Sequence, residues 1–409
     1  MCCIAGALGA ALAGAGSANA ADCGGLLQPP CPPPSPPSDG AGQIYGFNDS
    51  GLFNSQIPRA QYLGKIDDSG AALQRTGLDW QYYERTQGDF NEDFWAKHDQ
   101  NYNDLKARGI KQVIVLIGTP YWALTADGKG SSNPNGSRRC EPPTDNRYPQ
   151  CYAPPDVRDP TIKAAWESFV RKVVSRYPEA AAVEVWNEPN IDSFWFQPQN
   201  PELYADLLAA TYEAVRQVDA DMPVVSGSVS NYTGPNTEDD TAYDSFLRTV
   251  YREAGAGSFT ALGWHSYPCN RRTEPYAAQL ARDVRVVREL KAEFGDTAKP
   301  MWLTETGATT GSFSDANCGL SFSETQQRDA LGAILDWAKA QNATSHDLPV
   351  VITHQLFNSK NRVIISQGSV DGESEFGIVA YSYNYVTNQT TIRDKPAYLV
   401  VRCKFLSTC

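Results

Sequence analysis

Apolar positions along this chain follow two alternating rhythms. Short runs rich in β-branched and aromatic residues come first: "QIYGFN" near Tyr45, "AALQRTG" near Arg75, "KQVIVLIG" near Val115 and "AAVEVWN" near Val185. Four more follow, "VVSGSVS" near Ser226, "ALGWHSY" near Trp264, "PMWLTE" near Leu303 and "VVITHQLF" near Thr353. Runs of this length, apolar on both faces, predict strands buried on both sides. Between them the period changes to that of a helix. Leu203, Leu207, Ala210 and Ala214 recur after an Asn200-Pro201 start, and Leu331, Ile334, Leu335 and Ala338 recur after Ser323-x-x-Gln326, a capping-box pattern. Eight strand-then-helix units predict an α/β fold, a closed (β/α)8 or TIM barrel, because closure leaves no strand edge exposed.

One strand does not end like a packed element. "VEVWNEPN", Val183 to Asn190, spaces its apolar residues with an acid and then runs into a polar cluster closed by Pro189. Val183, Val185 and Trp186 anchor the strand, Pro189 stops it, and Asn187 and Glu188 are presented at its tip. Glu305 ends the seventh strand in the same way. Chemistry in a barrel of this kind sits at the C-terminal ends of the strands, so both acids are expected in one mouth. Two carboxylates facing across a cleft suit glycosidic bond cleavage, one protonating the departing oxygen and the other attacking the anomeric carbon.

"WNEP" at Trp186 to Pro189, with a glutamate closing strand seven in "WLTETG", resembles the clan A glycoside hydrolases, the barrel superfamily that contains family 5 cellulases and family 39 xylosidases. The resemblance covers about Ile44 to Lys404. It extends to Arg75 ending strand two, "TPYWA" at Thr119 to Ala123, "HSYP" at His265 to Pro268 and "KPAY" at Lys395 to Tyr398. It implies a retaining double displacement, with Glu188 as acid and then base, Glu305 as nucleophile, and their carboxyl groups about 5 to 5.5 Å apart. It also implies that Arg75 and Tyr267 hold Glu305 ionised, that Glu188 keeps its proton beside that charge, and that Asn187 hydrogen-bonds the sugar 2-hydroxyl. The chain departs from the clan at strand eight. A tryptophan commonly floors the cleaved sugar's subsite there, whereas this chain reads "HQLFN", with Gln355, Leu356 and Phe357.

The remaining candidates are substrate-binding side chains: Asn48 at the mouth, His265, Trp122, Trp195 and Phe357. Flat side chains suit the apolar faces of a sugar ring. Each has a plainer alternative. Arg75 pairs with a neighbouring acid such as Asp49 or Glu84, His265 and Tyr267 are packed residues with backbone partners, and some aromatics belong to the core. His98 and His346 are expected to do nothing chemical.

The chain has 35 Lys and Arg against 47 Asp and Glu, a formal net charge of -12, which argues against nucleic acid or an anionic membrane as partner. With 41% hydrophobic and 20% charged residues it can bury a large core. Residues 1–20 are small and apolar and end in Ala18-Asn19-Ala20, as a secretory signal does, and 21–42 form a proline-rich linker, leaving 43–409 as the catalytic domain. Beyond the leader lie eight cysteines, an even number suited to an oxidising compartment. Proximity favours Cys140 with Cys151 and Cys403 with Cys409, leaving Cys269 with Cys318 and Cys23 with Cys31. No spacing suits zinc, so neither metal nor cofactor is expected. Two long segments, Thr125 to Asp159 and Ser359 to Phe376, are expected to shape the cleft. The reading is a secreted, monomeric glycosidase that cuts internally in a β-linked carbohydrate. Its alternatives are an exo-acting β-xylosidase or β-glucosidase, and a carbohydrate-binding protein without turnover.

Overall fold

The computed structural model describes residues 42–133, 136–144, 150–196, 198–231, 242–269, 273–312, 321–359, 364–366, 369–370 and 372–408. The expected leader and nearly all of the linker lie outside them. Eight parallel strands close a barrel in chain order: β1 (Ile44–Asn48), β2 (Leu73–Asp79), β3 (Lys111–Ile117), β4 (Ala182–Asn187), β5 (Val224–Ser230), β6 (Leu262–His265), β7 (Met301–Thr306) and β8 (Val350–His354), with β8 paired back onto β1. All eight fall where the apolar runs predict them. Arg75 is the third residue of β2 rather than its last, because that strand continues to Asp79.

Each strand is followed by a covering helix: α1 (Arg59–Asp68), α2 (Glu92–Lys106), α3 (Pro160–Arg176), α4 (Pro201–Arg216), α5 (Tyr243–Glu253), α6 (Tyr276–Glu293), α7 (Glu324–Ser345) and α8 (Pro396–Phe405). Local chemistry fixes where several begin. Asn200 accepts from the Leu203 N–H with Pro201 in the first turn of α4, and the Ser323–Gln326 capping box closes reciprocally at the start of α7. No described helix is long and apolar enough to cross a membrane.

The core is in two parts. The larger lies between barrel and helices, where Val183, Val185, Leu303 and Val351 meet Leu207, Ile334 and Leu335. The smaller plugs the barrel near the N-terminal ends of its strands, from Leu73, Val113, Ala182, Val225, Trp302, Val350 and Ile352. Above this apolar floor the inward positions turn polar, so the floor both stabilises the barrel and sets the depth of its mouth.

The long segment after β3 carries the expected Cys140–Cys151 disulfide. Cys269 and Cys403 are also disulfide-bonded. Their expected partners, Cys318 and Cys409, lie outside the described residues, as do Cys23 and Cys31. Between β8 and α8 the chain adds an antiparallel hairpin, Val379–Asn384 with Gln389–Asp394.

Closure brings β1 against β2 with Gly46 opposite Leu73, and a Cβ at Gly46 would collide with the Leu73 carbonyl. Gly46→Ala is therefore expected to destabilise the protein by about 1–3 kcal/mol, the usual range for overpacking. Denaturant unfolding measures it, and an unchanged midpoint would show that the two strands separate freely.

Candidate active site

The mouth of the barrel is organised by a buried cation. Arg75 projects from β2, and its side chain is only 3% exposed. Its guanidinium donates to Glu184 twice, Nε to Oε2 at 2.7 Å and Nη2 to Oε1 at 2.9 Å. Nη2 also reaches Asn187 Oδ1 at 2.8 Å, and Nη1 reaches Glu305 Oε1 at 2.6 Å and Asn48 Oδ1 at 3.0 Å. The acids that offered the plainer alternative for Arg75 are engaged elsewhere. Asp49 accepts the backbone N–H groups of Leu356 and Phe357, and Glu84 accepts from the Trp80 indole and the Gly88 N–H.

Two departures from ordinary strand geometry aim the acids. In β4, Ala182 belongs to the barrel floor and Glu184 meets Arg75, while Val183 and Val185 face the helices. Simple alternation would then turn Trp186 inward and Asn187 outward. Instead Trp186 takes φ 72° and packs with the outer core, edge-on to Trp195 at 5.7 Å, with its indole N–H on the Phe194 carbonyl at 2.6 Å. Asn187 consequently faces Arg75. Glu188 follows at φ 41°, its N–H on the Ser228 carbonyl at 2.9 Å. A non-glycine residue in this region costs on the order of 1–3 kcal/mol, so surrounding contacts must hold it there.

In β7 the register slips against both neighbours. Trp264 pairs Leu303 and His265 pairs Glu305, and on the other side Val351 pairs Leu303 and Thr353 pairs Thr306. One extra residue in β7 is a bulge, and it turns consecutive residues toward the interior. Thr304 approaches Glu184 at 3.4 Å and Glu305 reaches Arg75.

Glu305 is held on both oxygens. Oε1 accepts from Arg75 and from Asn48 Nδ2 at 2.8 Å, and Oε2 accepts from the Tyr267 hydroxyl at 2.6 Å. Glu188 Oε1 lies 2.9 Å from His265 Nδ1, which is itself 3.6 Å from Glu305 Oε2. Ligating atoms of Glu188, His265 and Glu305 all fall within 4.8 Å of one another. Both acids are buried, 8% exposed each, so their charges interact strongly.

Their titrations are pushed in opposite directions. Burial alone would raise Glu305, but His265, Arg75 and the Tyr267 hydrogen bond outweigh it and hold the carboxyl down to about 2. Glu188 is raised, first by burial and further by the charges of Glu305 and Glu373, against the contact with His265. One acid is kept ionised and the other is made reluctant to ionise.

The sequence candidates divide. Glu188, Glu305, Asn187, Arg75, Asn48, His265 and Tyr267 come together in one network. Trp195 and Phe357 do not join it. Trp195 is fully buried against Trp186 and Tyr204, and Phe357 is 1% exposed and stacked on Tyr62 at 5.5 Å. Both are core residues, because the loops carrying them fold back onto the helices. Trp122 is partly buried, edge-on to Trp80 at 5.4 Å, with its N–H on the Glu84 carbonyl at 3.0 Å.

Three site residues escaped sequence reasoning. Glu184 had a visible signal, an acid inside an otherwise apolar buried strand. His354 is in the strand-eight run, and its ring lies 2.9 Å from Asn48 Nδ2 and 4.8 Å from the Phe376 ring. Burial disfavours charge on His354, yet Glu373, Glu305 and Asp49 raise its pKa overall, while Asn48, which needs a lone pair on Nδ1, works against that rise. Glu373, 3.8 Å from His354 Nε2, gave no signal at all.

Glu188, His265 and Glu305 are also, among the described residues, a geometrically possible cation site. The Arg75 guanidinium 2.6 Å from Glu305 opposes it, since a second cation there would be repelled.

No family model and no curated protein matches the chain. Solved structures do. A family 39 glycoside hydrolase from Bacteroides cellulosilyticus has TM-score 0.54 at 17% identity, covering 88% of this chain and 63% of that one. A monomeric beta-xylosidase from Caulobacter crescentus has TM-score 0.56 at 17% identity, with 92% and 70% covered. A GH5_18 protein from Bifidobacterium longum, in complex with Manβ1-4GlcNAc, has TM-score 0.59 at 13% identity, with 90% and 78% covered. The chain thus spans about 63% of the first of these. At such identities the likeness is one of fold, and the fold shared is that of glycoside hydrolases in families 39 and 5.

Removing Glu184 would leave Arg75 buried without two of its five hydrogen bonds and with one of its two acidic partners gone. Glu184→Ala is expected to cost about 3–5 kcal/mol, and Glu184→Gln less, since the amide oxygen still accepts. Equilibrium unfolding distinguishes them; a loss below about 1 kcal/mol for the alanine variant would mean that Glu305 and the two asparagines suffice.

Proposed function

We propose that this protein is a retaining glycoside hydrolase that cleaves β-glycosidic bonds by double displacement. The reading is carried by one observation: Glu188 and Glu305 reach within 4.8 Å of each other in a single mouth, with pKa values driven apart. Carboxyl groups about 5–5.5 Å apart suit direct attack on the sugar, whereas a wider gap of roughly 6.5–9.5 Å leaves room for an activated water.

In the first step a Glu305 oxygen attacks C1 as the Glu188 proton passes to the departing glycosidic oxygen. The C1–O bond breaks and a glycosyl ester forms. Glu188, now a carboxylate, takes a proton from water as that water attacks C1 and releases Glu305. Glu305 is suited to attack because Arg75 divides its donors: two N–H groups go to Glu184 and one to Glu305, so the nucleophile is held ionised without being saturated by the cation. Asn187, oriented by Arg75, lies beside Glu188 where it can hydrogen-bond the sugar 2-hydroxyl. The fold shared with family 39 and family 5 glycoside hydrolases supports the reaction class without naming the sugar.

Polysaccharide is the proposed substrate and internal cutting the proposed mode, with the protein acting as a secreted monomer. Disulfide bonding of Cys140, Cys151, Cys269 and Cys403 supports export to an oxidising compartment. Product chromatography separates the modes: early oligosaccharides indicate internal cutting, and monosaccharide alone indicates release from chain ends.

Activity requires Glu305 ionised and Glu188 protonated. It should therefore fall as pH drops through the Glu305 pKa, about 2, and as pH rises through a Glu188 pKa above the ordinary carboxylate range. On an aryl glycoside with a good leaving group, Glu188→Gln should remove the alkaline limb of kcat/KM for the first step. Glu305→Gln should lower kcat on the order of 10⁴-fold while substrate binding survives in titration calorimetry. Proton NMR of the first-formed anomer tests the stereochemistry. An inverted product, or near-full activity in Glu305→Gln, would refute the assignment.

A further inference from the structure

We propose that His354 and Glu373 form a hydroxyl-reading pair for the sugar held over Glu305, and that Glu373 makes the enzyme select neutral sugars over uronic acids. The inference rests on the glycosidase reading above and adds to it the class of sugar.

His354 ends β8 in register with Asn48, the residue that touches the nucleophile. Asn48 has a fixed orientation. Its Oδ1 accepts from Arg75, so its Nδ2 must donate, to Glu305 at 2.8 Å and to His354 Nδ1 at 2.9 Å. Nδ1 is therefore an acceptor and the ring's proton sits on Nε2. The Gln355 amide group stands 3.1 Å from Nε2, and with the proton on Nε2 it is the amide oxygen that can accept there. Phe376 at 4.8 Å and Tyr267 at 6.3 Å flank the ring and fix its plane. Where the clan commonly has an apolar tryptophan floor, this chain presents a donor.

Glu373 supplies the acceptor. Its side chain is 64% exposed, and its Oε2 is 3.8 Å from His354 Nε2. That distance is too long for a hydrogen bond, yet a single hydroxyl oxygen can sit about 2.8 Å from both, accepting from the imidazole and donating to the carboxylate. The Glu373 carboxylate stands beside His354, which ends β8 at the same mouth. Its turn, Gly372–Glu375, is anchored. The Ser374 carbonyl accepts from the Ser359 N–H at 3.0 Å, and the Glu375 carbonyl accepts from the Thr310 N–H at 3.2 Å and from Lys395 Nζ at 3.1 Å. Lys395 is 1% exposed, so the anchor is a buried cation rather than a surface contact.

A neutral sugar with a hydroxyl at this position gains both contacts. A uronic acid brings a second carboxylate to Glu373 and is repelled.

The test compares the full chain with Glu373→Ala and Glu373→Gln on matched aryl β-glycosides, neutral pyranosides and their uronides. Wild type should favour the neutral partner by about 100-fold in kcat/KM. Glu373→Ala should lower neutral turnover by about 10- to 100-fold and shrink the neutral-to-uronide ratio at least tenfold, and Glu373→Gln should shrink the ratio with a smaller loss. A deoxy analogue lacking the contacted hydroxyl should be as good a substrate for Glu373→Ala as its parent. His354→Phe is the second arm, with unfolding followed in parallel because His354 is buried. A wild type active on the panel whose ratio stays within twofold in both Glu373 variants, or that prefers uronides, overturns this inference alone. A wild type that turns over no member overturns the glycosidase reading and this inference together.

Discussion

The buried guanidinium of Arg75 is the constraint on which the mouth of this barrel depends. A cation with a side chain 3% exposed needs anionic partners, and its planar fork dictates where they stand. Glu184, fully buried, takes two of its N–H groups and neutralises the charge. What remains of the fork then fixes Asn187, Asn48 and Glu305 in space. Lysine could satisfy the charge but not the geometry, since one ammonium cannot orient five acceptor oxygens in a plane. The same donor that holds Glu305 ionised also sets the amide of Asn48, and through it the tautomer of His354.

Strain and irregularity serve that arrangement. A regular β4 would bury Asn187 among the helices, and a regular β7 would present either Thr304 or Glu305 to the interior, not both. The left-handed backbone at Trp186 and the bulge in β7 each shift the two-residue alternation once, on strands that face one another across the mouth. Their cost is offset by packing outside the site. Trp186 finds Trp195 and the Phe194 carbonyl, and the Glu188 N–H finds the Ser228 carbonyl. Trp195 thus contributes to the site as a support for the β4 turn rather than as a surface for sugar.

The two acids acquire different chemistry from one environment. Both are buried to the same degree, so desolvation pushes both upward, and the difference arises from their neighbours. Glu305 faces Arg75, Asn48 and Tyr267, whereas Glu188 faces an anion on one side and His265 on the other. The charge already on Glu305 is itself a reason for Glu188 to keep its proton, so the assignment of roles is cooperative.

The eight strands, their order and the two carboxylates at the ends of strands four and seven were legible in the sequence, because burial on both faces leaves continuous apolar runs and a barrel puts strand ends in one place. The acid in "VEV" was visible as an anomaly, but its partner was not, since nothing in sequence separation reveals that Glu184 and Arg75 share a layer. Asp49 and Glu84 were nearer in the chain and had other donors. Aromatic residues in the loops after strands three, four and eight could not be sorted into core and cleft, because a loop's direction is set by what it packs on: Phe357 lands on Tyr62 and Trp195 on Tyr204. Residue types thus determined the chemistry available to this protein. Only closure of the barrel, which brings strands far apart in the chain to within hydrogen-bonding distance, decided which carboxylate would carry the charge and which the proton.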